Sequence, residues 1–166
     1  MPESVDSTRI RVAVDSDLDL LSKSLSAELP RAQIVNRFSE QRAGLRILLV
    51  LELGAELAGT VSYDPRPDED GLTRRLFALD VGAAFRRRGF ATRLIQEVER
   101  LMVRDGQSVV RLDVAVDNTG AIALYERLGY ERVGEPWKLQ WSQQVDGHPT
   151  ELVVELSHRM EKRLNQ

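Results

Sequence analysis

The sequence predicts an α+β fold in which a mostly antiparallel sheet contains one parallel crossover. The first observation is the order of the predicted elements: strand, two helices, three strands, helix, strand, helix and two strands. The second is a long amphipathic helix between two apolar strands, a connection that normally makes those strands parallel neighbours. The third is the lack of regular strand–helix alternation and of a Gly-x-Gly-x-x-Gly turn, which excludes a doubly wound dinucleotide fold.

Length and composition limit the domain organisation and the chemistry. The chain has 166 residues, 42% of them hydrophobic, so we expect one domain over residues 1–166 with flexible ends at 1–8 and 160–166. It has no cysteine and two histidines, which excludes disulfides and thiolate chemistry and argues against a metal site. The net charge of −3 argues against nucleic-acid binding. No apolar run is long enough to span a membrane and no apolar signal core begins the chain, so we expect a cytoplasmic protein.

The first part of the chain predicts one strand and two helices. Over 9–14, apolar residues alternate with polar or small ones, as in a half-buried strand. Asp-Ser-Asp at 15–17 offers N-cap side chains for a leucine-rich helix, which Pro30 ends before a second helix over 32–42. The apolar side chains expected to face inward are Ile10, Val12 and Val14 in the strand and Ile34, Val35 and Phe38 in the second helix.

A hairpin and an acidic loop follow. Residues 45–53 and 57–63 are two apolar strands around a short turn. Residues 64–71 contain two prolines and are predicted to form a loop, whose acidic side chains either attract a cationic ligand or contact only solvent. Those acidic residues are Asp64, Asp68, Glu69 and Asp70.

The chain is organised around residues 76–91. A buried strand over 74–81 leads through three arginines and Gly89 into a helix over 91–104. A helix N-terminus exposes N–H groups without intrahelical partners and carries a partial positive charge, and glycine lets a ligand approach the backbone. This connector therefore predicts a site for a phosphorylated ligand. The apolar stripe of the helix consists of Ala91, Leu94, Ile95, Val98, Leu101 and Met102.

A second strand and helix, then a hairpin, complete the predicted elements. The strand over 109–116 and the helix over 120–128 flank Asn118, a good N-cap residue. Two final strands over 130–141 and 151–158 flank an Asp-Gly turn and precede a polar tail. The side chains expected to be buried are Val110, Leu112 and Val114 in the strand and Ala121, Leu124, Tyr125 and Leu128 in the helix.

Two blocks of this sequence resemble the signature of the GNAT superfamily of N-acetyltransferases. The first is Arg86-x-x-Gly89-x-Ala91 after a strand that ends at Val81, which is similar to the family's pyrophosphate loop. The second runs without gaps from Leu112 to Tyr130 and is most similar to ribosomal-protein N-terminal acetyltransferases. Both blocks occur in the family's order, and the resemblance covers residues 76–133 closely. The second block matches the family pattern at Asn118, Ala121, Tyr125, Gly129 and Tyr130.

The resemblance implies a fold and a cofactor. The fold is a GNAT-like mixed, mostly antiparallel central sheet of about seven strands, with helices on both faces and a splay between the two central parallel strands. The co-substrate is acetyl-CoA, with its pantetheine arm along the open strand edge and its pyrophosphate on the loop before the central helix. Asn118 is also explained as a plain helix cap. The cofactor-binding residues that the resemblance implies are Leu79, Val81, Arg86, Arg87, Arg88, Gly89, Phe90, Ala91 and Asn118.

The implied reaction is direct attack of an amine on the thioester, and it makes three chemical demands. The amine must lose a proton, because an alkylammonium has a pKa near ~10. The developing oxyanion needs a donor, for which the backbone N–H of Val81 is a candidate. The leaving thiolate is expelled more readily when it is protonated, and Tyr125 matches the family tyrosine beside the CoA sulfur. The alternative role for Tyr125 is that of a core aromatic.

The general base is open among three alternatives. Asp113 falls where ribosomal-protein N-terminal acetyltransferases carry a glutamate, but a same-face charge pair with Arg111 explains it equally well. Asp80 lies on the core strand, where an unpaired buried carboxylate is costly, so we expect it to be functional or paired. The third alternative is removal of the proton by water without an essential residue.

The resemblance also limits the partners. The acceptor is expected to be a small-molecule amine or a peptide N-terminus, and a homodimer is possible because dimers are common in the family. Trp137, Trp141 and Tyr63 are candidates for the acceptor pocket, with core packing as the alternative. Three classes of function remain, namely an active acetyltransferase, an acyl-CoA-binding homologue without turnover, and an unrelated nucleic-acid-binding module that uses the arginine cluster. The acidic total works against the last class.

Overall fold

The structure of the protein, a computed structural model, describes residues 7–143 and 146–164. Parts of the chain ends expected to be flexible, residues 1–6 and 165–166, lie outside the described residues. The helices and strands are β1 (Thr8–Val12), α1 (Leu18–Ser24), α2 (Arg31–Arg42), β2 (Ile47–Leu53), β3 (Glu56–Tyr63), β4 (Thr73–Val81), α3 (Phe90–Arg104), β5 (Val109–Ala115), α4 (Thr119–Arg127), β6 (Glu131–Arg132), β7 (Trp137–Gln143) and β8 (Glu151–Arg163).

The strands form one mixed sheet in the order β1-β2-β3-β4-β5-β8-β6, and β7 pairs with the first half of β8. Neighbouring strands are antiparallel except β4 and β5, which are parallel and connected through α3. The parallel pairing runs only from Thr73↔Val109 to Arg75↔Arg111, and beyond it the two strands part. The splay that the resemblance implied is therefore confirmed, and the gap opens into a large cleft.

Two hydrophobic clusters lie on the two faces of this sheet. Along β2, Leu49 and Leu51 belong to the cluster under α3 and α4, whereas Leu48 and Val50 belong to the cluster under α1 and α2. The apolar stripe predicted for α3 is confirmed, because its side chains from Leu94 to Met102 are buried. Full burial of one such aliphatic side chain contributes about 1.5–3 kcal/mol, so this stripe fixes the position of the first turn of α3.

Two predictions of inward-facing side chains are wrong. Val12 and Val14 are exposed, because β1 is the edge strand of the sheet and its last residue is Val12. On α2, Val35 is exposed, and the buried residues include Ile34 and, three residues later, Arg37. A hydropathy pattern does not predict that an arginine faces inward, although the spacing of Arg37 from Ile34 places both residues on the buried side of the helix.

The C-terminal part also differs from the prediction. The single strand expected over 130–141 is divided into β6 and β7, and β8 continues to residue 163 with Met160 fully buried. The first residues of the expected flexible tail are therefore part of the sheet. The charged residues after residue 160 led to the prediction of a polar tail. In the fold Lys162, for example, forms an ion pair with Glu99 at 2.9 Å. No helix in the described ranges is long and apolar enough to cross a membrane.

Candidate active site

The cleft that opens where β4 and β5 part has a volume of about 1120 Å³. Its walls are formed by residues of α2, β4, β5, α4, β7 and β8. It therefore brings together a strand edge, a helix start and side chains from elements that are far apart in the sequence.

A bulge in β4 decides which side chains face the cleft. Ala78 has a φ of +55°, which is rare for residues other than glycine, and the register of β4 against β3 shifts there. Before the bulge, Leu76 packs into the α3 core while Phe77 contacts the α2 side. After it, Leu79 packs against the core while Asp80 bonds to α2. If residues 76–80 formed a regular strand without the bulge, strict alternation would turn Asp80 toward the core.

The backbone N–H of Val81 points into the gap between β4 and β5. Val81 of β4 lies opposite Gly59 of β3. The hydrogen bond next to this pair joins the following residue on β4 to the preceding one on β3, since the N–H of Gly82 donates to the carbonyl of Ala58 at 2.9 Å. This pattern makes the pair a non-hydrogen-bonded one, in which the backbone groups of both residues point away from the partner strand. The Nε of Arg86 lies on that open side, 3.5 Å from the Val81 carbonyl oxygen.

The loop between β4 and α3 presents an open backbone surface. Gly89 is the N-cap of α3 with a φ of +79°, and Arg87 also has a left-handed φ of +62°. A Cβ atom at Gly89 would meet no atom within 4 Å, so the space beside its backbone, before the first turn of α3, is open to a ligand. Arg86 is not free, since it donates to Glu28 at 2.9 Å and ties the loop to the segment before α2. Exposed N–H groups at such a helix start fit a phosphate.

The remaining predicted cofactor residues have different surroundings. Phe90 is buried in the core, and the Arg88 guanidinium lies 5.1 Å from the centre of its ring. Ala91 is half-buried on the first turn of α3, and Leu79 packs against the core. The side chain of Asn118 accepts from the N–H of the third residue after it at 3.2 Å, so its role as a helix cap is confirmed.

Tyr125 and Tyr130 form an edge-to-face pair beside α4, with ring centroids 5.9 Å apart. Both rings are buried. The hydroxyl of Tyr130 donates to Glu99 at 3.0 Å. Tyr125 lines the cleft, where burial and the nearby charge of Asp80 raise the pKa of its phenol to about 12. Its hydroxyl therefore keeps its proton at neutral pH.

Asp80 is paired with a buried arginine. Arg37 of α2 is 5% exposed and donates through Nη1 to Asp80 Oδ2 at 2.8 Å. This pair spans the cleft from α2 to β4. A guanidinium held so deeply requires an anion, and Asp80 supplies it. Of the two expectations for this acid, functional or paired, the structure shows the pairing.

Asp113 is held by three neighbours that do not include Arg111. The indole N–H of Trp137 donates to its Oδ1 at 2.9 Å, and the Nε atoms of Arg75 and Arg159 lie 3.9 and 3.8 Å from its oxygens. The Asp113 side chain is 5% exposed. The alternative of a charge pair with Arg111 is wrong, because that guanidinium contacts acidic residues of β8 and of the acidic loop.

Comparison with known proteins identifies the family. The sequence model of the Acetyltransferase (GNAT) family matches residues 16–130, well over half of the chain. The chain belongs to the GNAT acetyltransferase family. The predicted family and fold are thus confirmed, and acetyl-CoA is the acetyl donor of that family.

Solved structures with the same fold include three amine acetyltransferases. The ribosomal-protein-S18-alanine N-acetyltransferase from Escherichia coli is 18% identical, and the match covers 96% of this chain and 95% of that chain with a TM-score of 0.70. The ribosomal-protein-alanine N-acetyltransferase from Brucella melitensis is 25% identical, with coverages of 94% and 99% and a TM-score of 0.65. The spermidine N-acetyltransferase from Vibrio cholerae, solved with CoA and spermine, is 17% identical, with coverages of 95% and 96% and a TM-score of 0.67.

Of the three aromatic candidates for the acceptor pocket of this GNAT protein, Trp141 lines the cleft. Trp137 instead bonds to Asp113 and has the Arg159 guanidinium 4.8 Å from the centre of its ring. Tyr63 is 3% exposed and belongs to the core cluster under α3, so its assignment to the pocket is wrong. Alternation along β3 turns this side chain toward α3 and away from α2.

The acidic loop of this GNAT protein is partly structural. Asp70 accepts hydrogen bonds from two backbone N–H groups of its own turn, and Asp68 pairs with Arg111. Asp64 lines the cleft. Neither alternative for the loop therefore describes all of its acidic residues, because one of them faces the cleft and two of them hold the loop.

Sequence reasoning missed four residues of the cleft. Arg46 is 9% exposed and donates to Glu40 at 2.7 Å and to Ser62 at 3.1 Å. The guanidiniums of Arg46 and Arg75 lie 4.8 and 4.7 Å from the centre of the Phe77 ring. The available signal was the presence of arginines within apolar segments, where an unpaired cation is costly. The missed residues are Arg37, Arg46, Arg75 and Phe77.

Proposed function

We propose that this GNAT protein transfers the acetyl group of acetyl-CoA to a primary amine by direct attack of the amine on the thioester. The observation that carries the proposal is the arrangement at the gap between β4 and β5. The N–H of Val81 points into the gap, and the protonated phenol of Tyr125 lines the same cleft. These are the donors that the reaction requires at the carbonyl oxygen and at the sulfur.

The two sides of the cleft have different tasks in this proposal. We call the open edge of β4, the loop 86–89, the start of α3 and the side of α4 that carries Tyr125 the donor side. We call α2, the Arg75–Phe77 face of β4 and β7 the acceptor side. Acetyl-CoA supplies an activated thioester and a thiolate leaving group. The donor side binds it through the N–H groups at the start of α3 and through the backbone of Leu79 and Val81.

Tyr125 acts on the leaving sulfur. A phenol with a pKa of about 12 is a weaker acid than a thiol with a pKa of roughly 8.5, so it does not protonate a free thiolate outright. It donates a hydrogen bond that strengthens as charge develops on the sulfur. The proton that the sulfur finally gains is balanced by the one that the amine nitrogen loses on becoming an amide.

We assign proton removal from the ammonium to Asp80 through a water molecule. Its side chain is 22% exposed, and its charge is close enough to Tyr125 to raise the pKa of that phenol. Asp113 is 5% exposed and already has Trp137 and two guanidiniums around it, so we assign it to holding the wall of the cleft. Removal of the proton by water alone is the remaining alternative.

The alternative function is an acyl-CoA-binding homologue without turnover. The acceptor in the active case is a small-molecule amine or a peptide N-terminus, as for the spermidine and ribosomal-protein enzymes with this fold. A cytoplasmic location, a homodimer and the absence of nucleic-acid binding stay predictions.

Release of free CoA tests the proposal directly. Purified protein is mixed with acetyl-CoA and a panel of primary amines and peptides with free N-termini, and the new amide is identified by mass spectrometry. Amine-dependent release of CoA is the expected result. Stabilisation by acetyl-CoA without turnover of any acceptor supports the alternative. A protein that acetyl-CoA neither stabilises nor converts would contradict both functions.

A further inference from the structure

Glu28 is a largely buried carboxylate that lines the cleft between α1 and α2. Its side chain is 11% exposed. Its Oε1 accepts from Arg86 at 2.9 Å, whereas its Oε2 is buried and has no hydrogen-bond partner among the described residues. A carboxylate that is so little hydrated is costly unless a cation accompanies it, and here Arg86 is that cation.

The backbone around Glu28 is fixed beside the end of β4. The N–H of Glu28 donates at 3.0 Å to the carbonyl of Leu25, a residue that is fully buried. A Cβ atom at Gly82 would lie 2.6 Å from the carbonyl oxygen of Ser24, so the chain after β4 packs directly against the end of α1. Glu28 is therefore held in place and does not follow Arg86 when that side chain moves.

Arg86 connects this carboxylate to the edge of β4 that binds acetyl-CoA in our proposal. Its Nε lies 3.5 Å from the Val81 carbonyl oxygen while its Nη2 donates to Glu28. One guanidinium reaches both oxygens, so Glu28 lies close to the gap in which the thioester reacts. A cofactor arm that pairs with the backbone of Val81 needs the place that Arg86 occupies. The Arg86 side chain is 58% exposed, so its ion pair with Glu28 is weak and is readily exchanged.

The other carboxylates of the cleft lie elsewhere or are already paired. Asp80 has a buried arginine of α2 as its partner. Asp64, Asp117 and Glu155 line the cleft from the loop after β3, the turn after β5 and β8. Their charges favour a cationic acceptor in the cleft as a whole. Glu28 differs from them because it shares a guanidinium with the edge of the gap.

Building on the proposed function, we infer that Glu28 binds the ammonium group of the acceptor and that acetyl-CoA uncovers it by drawing Arg86 away. The arm along β4 displaces the guanidinium from the Val81 carbonyl, and the pyrophosphate on the loop 86–89 offers it new oxyanion partners. Glu28 then has no cation and accepts the incoming ammonium instead. The acceptor is thus bound beside the thioester only after acetyl-CoA is in place.

Glu28→Gln tests the assignment, because it keeps the shape of the side chain and removes its charge. The probe is hexylamine, which offers an ammonium group and an apolar chain. The KM of hexylamine should rise about 10- to 100-fold with little change in kcat at saturating amine. The Kd of acetyl-CoA without amine should fall about 2- to 5-fold, because Arg86 no longer leaves an ion pair. Glu56→Gln changes an exposed glutamate at the start of β3 and should alter neither value.

Arg86→Gln separates the uncovering of Glu28 from the binding of the amine. Calorimetry with CoA and hexylamine, which do not react, measures how each ligand changes the affinity for the other. In the wild type each should tighten the other by about 2- to 5-fold, and by the same factor in both directions. The two ligands should bind independently in Arg86→Gln, where Glu28 is already uncovered, and in Glu28→Gln, where the ammonium has lost its partner. Equal coupling in all three proteins would overturn the inference.

The outcome separates this inference from the proposed function. Acetyl transfer by Glu28→Gln with the wild-type KM for hexylamine and the wild-type affinity for acetyl-CoA overturns the inference and leaves the proposed reaction intact. Absence of turnover with every amine contradicts acetyl transfer, and the coupling between CoA and hexylamine then decides the inference. Melting temperatures establish that the variants are folded. If Glu28→Gln does not fold, the loss or survival of coupling in Arg86→Gln decides.

Discussion

The donor side and the acceptor side of the cleft are built by different means. The donor side depends mainly on backbone groups, such as the N–H of Val81 and the left-handed Gly89 at the start of α3, with Tyr125 as its main side chain. The acceptor side consists of charged side chains from α2 and β4, such as Arg37 and Arg75. Changes on the donor side should therefore affect every acceptor, whereas changes on the acceptor side should alter which amine is used.

The largest effect is expected for Tyr125→Phe. The ring and its contact with Tyr130 remain, and only the hydrogen-bond donor to the sulfur is lost. The kcat at saturating acetyl-CoA should fall by a factor on the order of 10²–10³ for every acceptor, with little change in acetyl-CoA affinity or melting temperature. A variant with the wild-type kcat would reduce Tyr125 to a packing residue.

The pH profile sharpens the assignment of Tyr125. Because its pKa is raised to about 12, the phenol stays protonated through the range in which the amine, with a pKa near ~10, loses its proton. The wild-type kcat/KM should therefore rise between neutral pH and the pKa of the amine, without a falling limb from Tyr125. A falling limb near pH ~10, the ordinary pKa of a tyrosine, in a protein that remains folded, would contradict the raised pKa.

The next largest effect is expected for Gly89→Asp. Acetyl-CoA at ~100 times its Kd should stabilise the wild type by about 2.7 kcal/mol through mass action. An aspartate at a φ of +79° strains the backbone and places a negative charge beside the phosphates, so most of that stabilisation should disappear.

Gly89→Asn is the matched control for charge. Asparagine tolerates a left-handed φ better than most residues and adds no charge, so this variant should keep much of the thermal shift that acetyl-CoA causes. If both variants lose the same share of the thermal shift caused by acetyl-CoA, the strained backbone alone explains the loss. If neither variant loses any of that shift, the loop is excluded as the phosphate site.

Smaller effects are expected for Asp113 and Asp80, on stability for both and on the rate for the second. Asp113→Asn leaves Arg75 and Arg159 without their shared anion and should cost about 1–3 kcal/mol of unfolding free energy. Asp80→Asn leaves the buried Arg37 without its anion, so it should also lower the free energy of unfolding. In the protein that remains folded it should lower kcat near neutral pH, and this loss should shrink as the pH approaches the pKa of the amine, because the amine then deprotonates unaided. A loss that is the same at all pH values would exclude Asp80 from proton removal.

The smallest effect concerns the contact between the turn before β8 and α2. The carboxylate of Asp146 accepts from the backbone N–H groups of Arg31 and Ala32, at 3.0 and 2.7 Å. Asp146→Ala removes this helix cap and should cost about 0.5–2 kcal/mol, while Asp146→Asn should cost less. Since α2 carries Arg37, the KM of the acceptor should rise and the affinity for acetyl-CoA should not change. A reduced affinity for acetyl-CoA would show that the two sides are coupled.

The sequence alone predicted the family, the element order as far as α4, and the local structure of the loop before α3. The loop pattern ending at Ala91, the apolar stripe of α3 and the block from Asn118 to Tyr130 are local patterns, and their consequences depend on residues a few positions apart. A helix start, a cap and a buried stripe follow from such short spacings, because hydrogen bonding and hydrophobic periodicity are set within one or two turns.

The acceptor side was decided only by the tertiary structure. The orientation of Asp80 depends on a bulge at Ala78, and no sequence pattern predicts a positive φ at this alanine. The partners of Asp113 come from β4, β7 and β8 rather than from Arg111 on its own strand. Charged side chains are long and find partners across the sheet, so the pairs they form depend on how distant segments pack and not on their spacing in the chain.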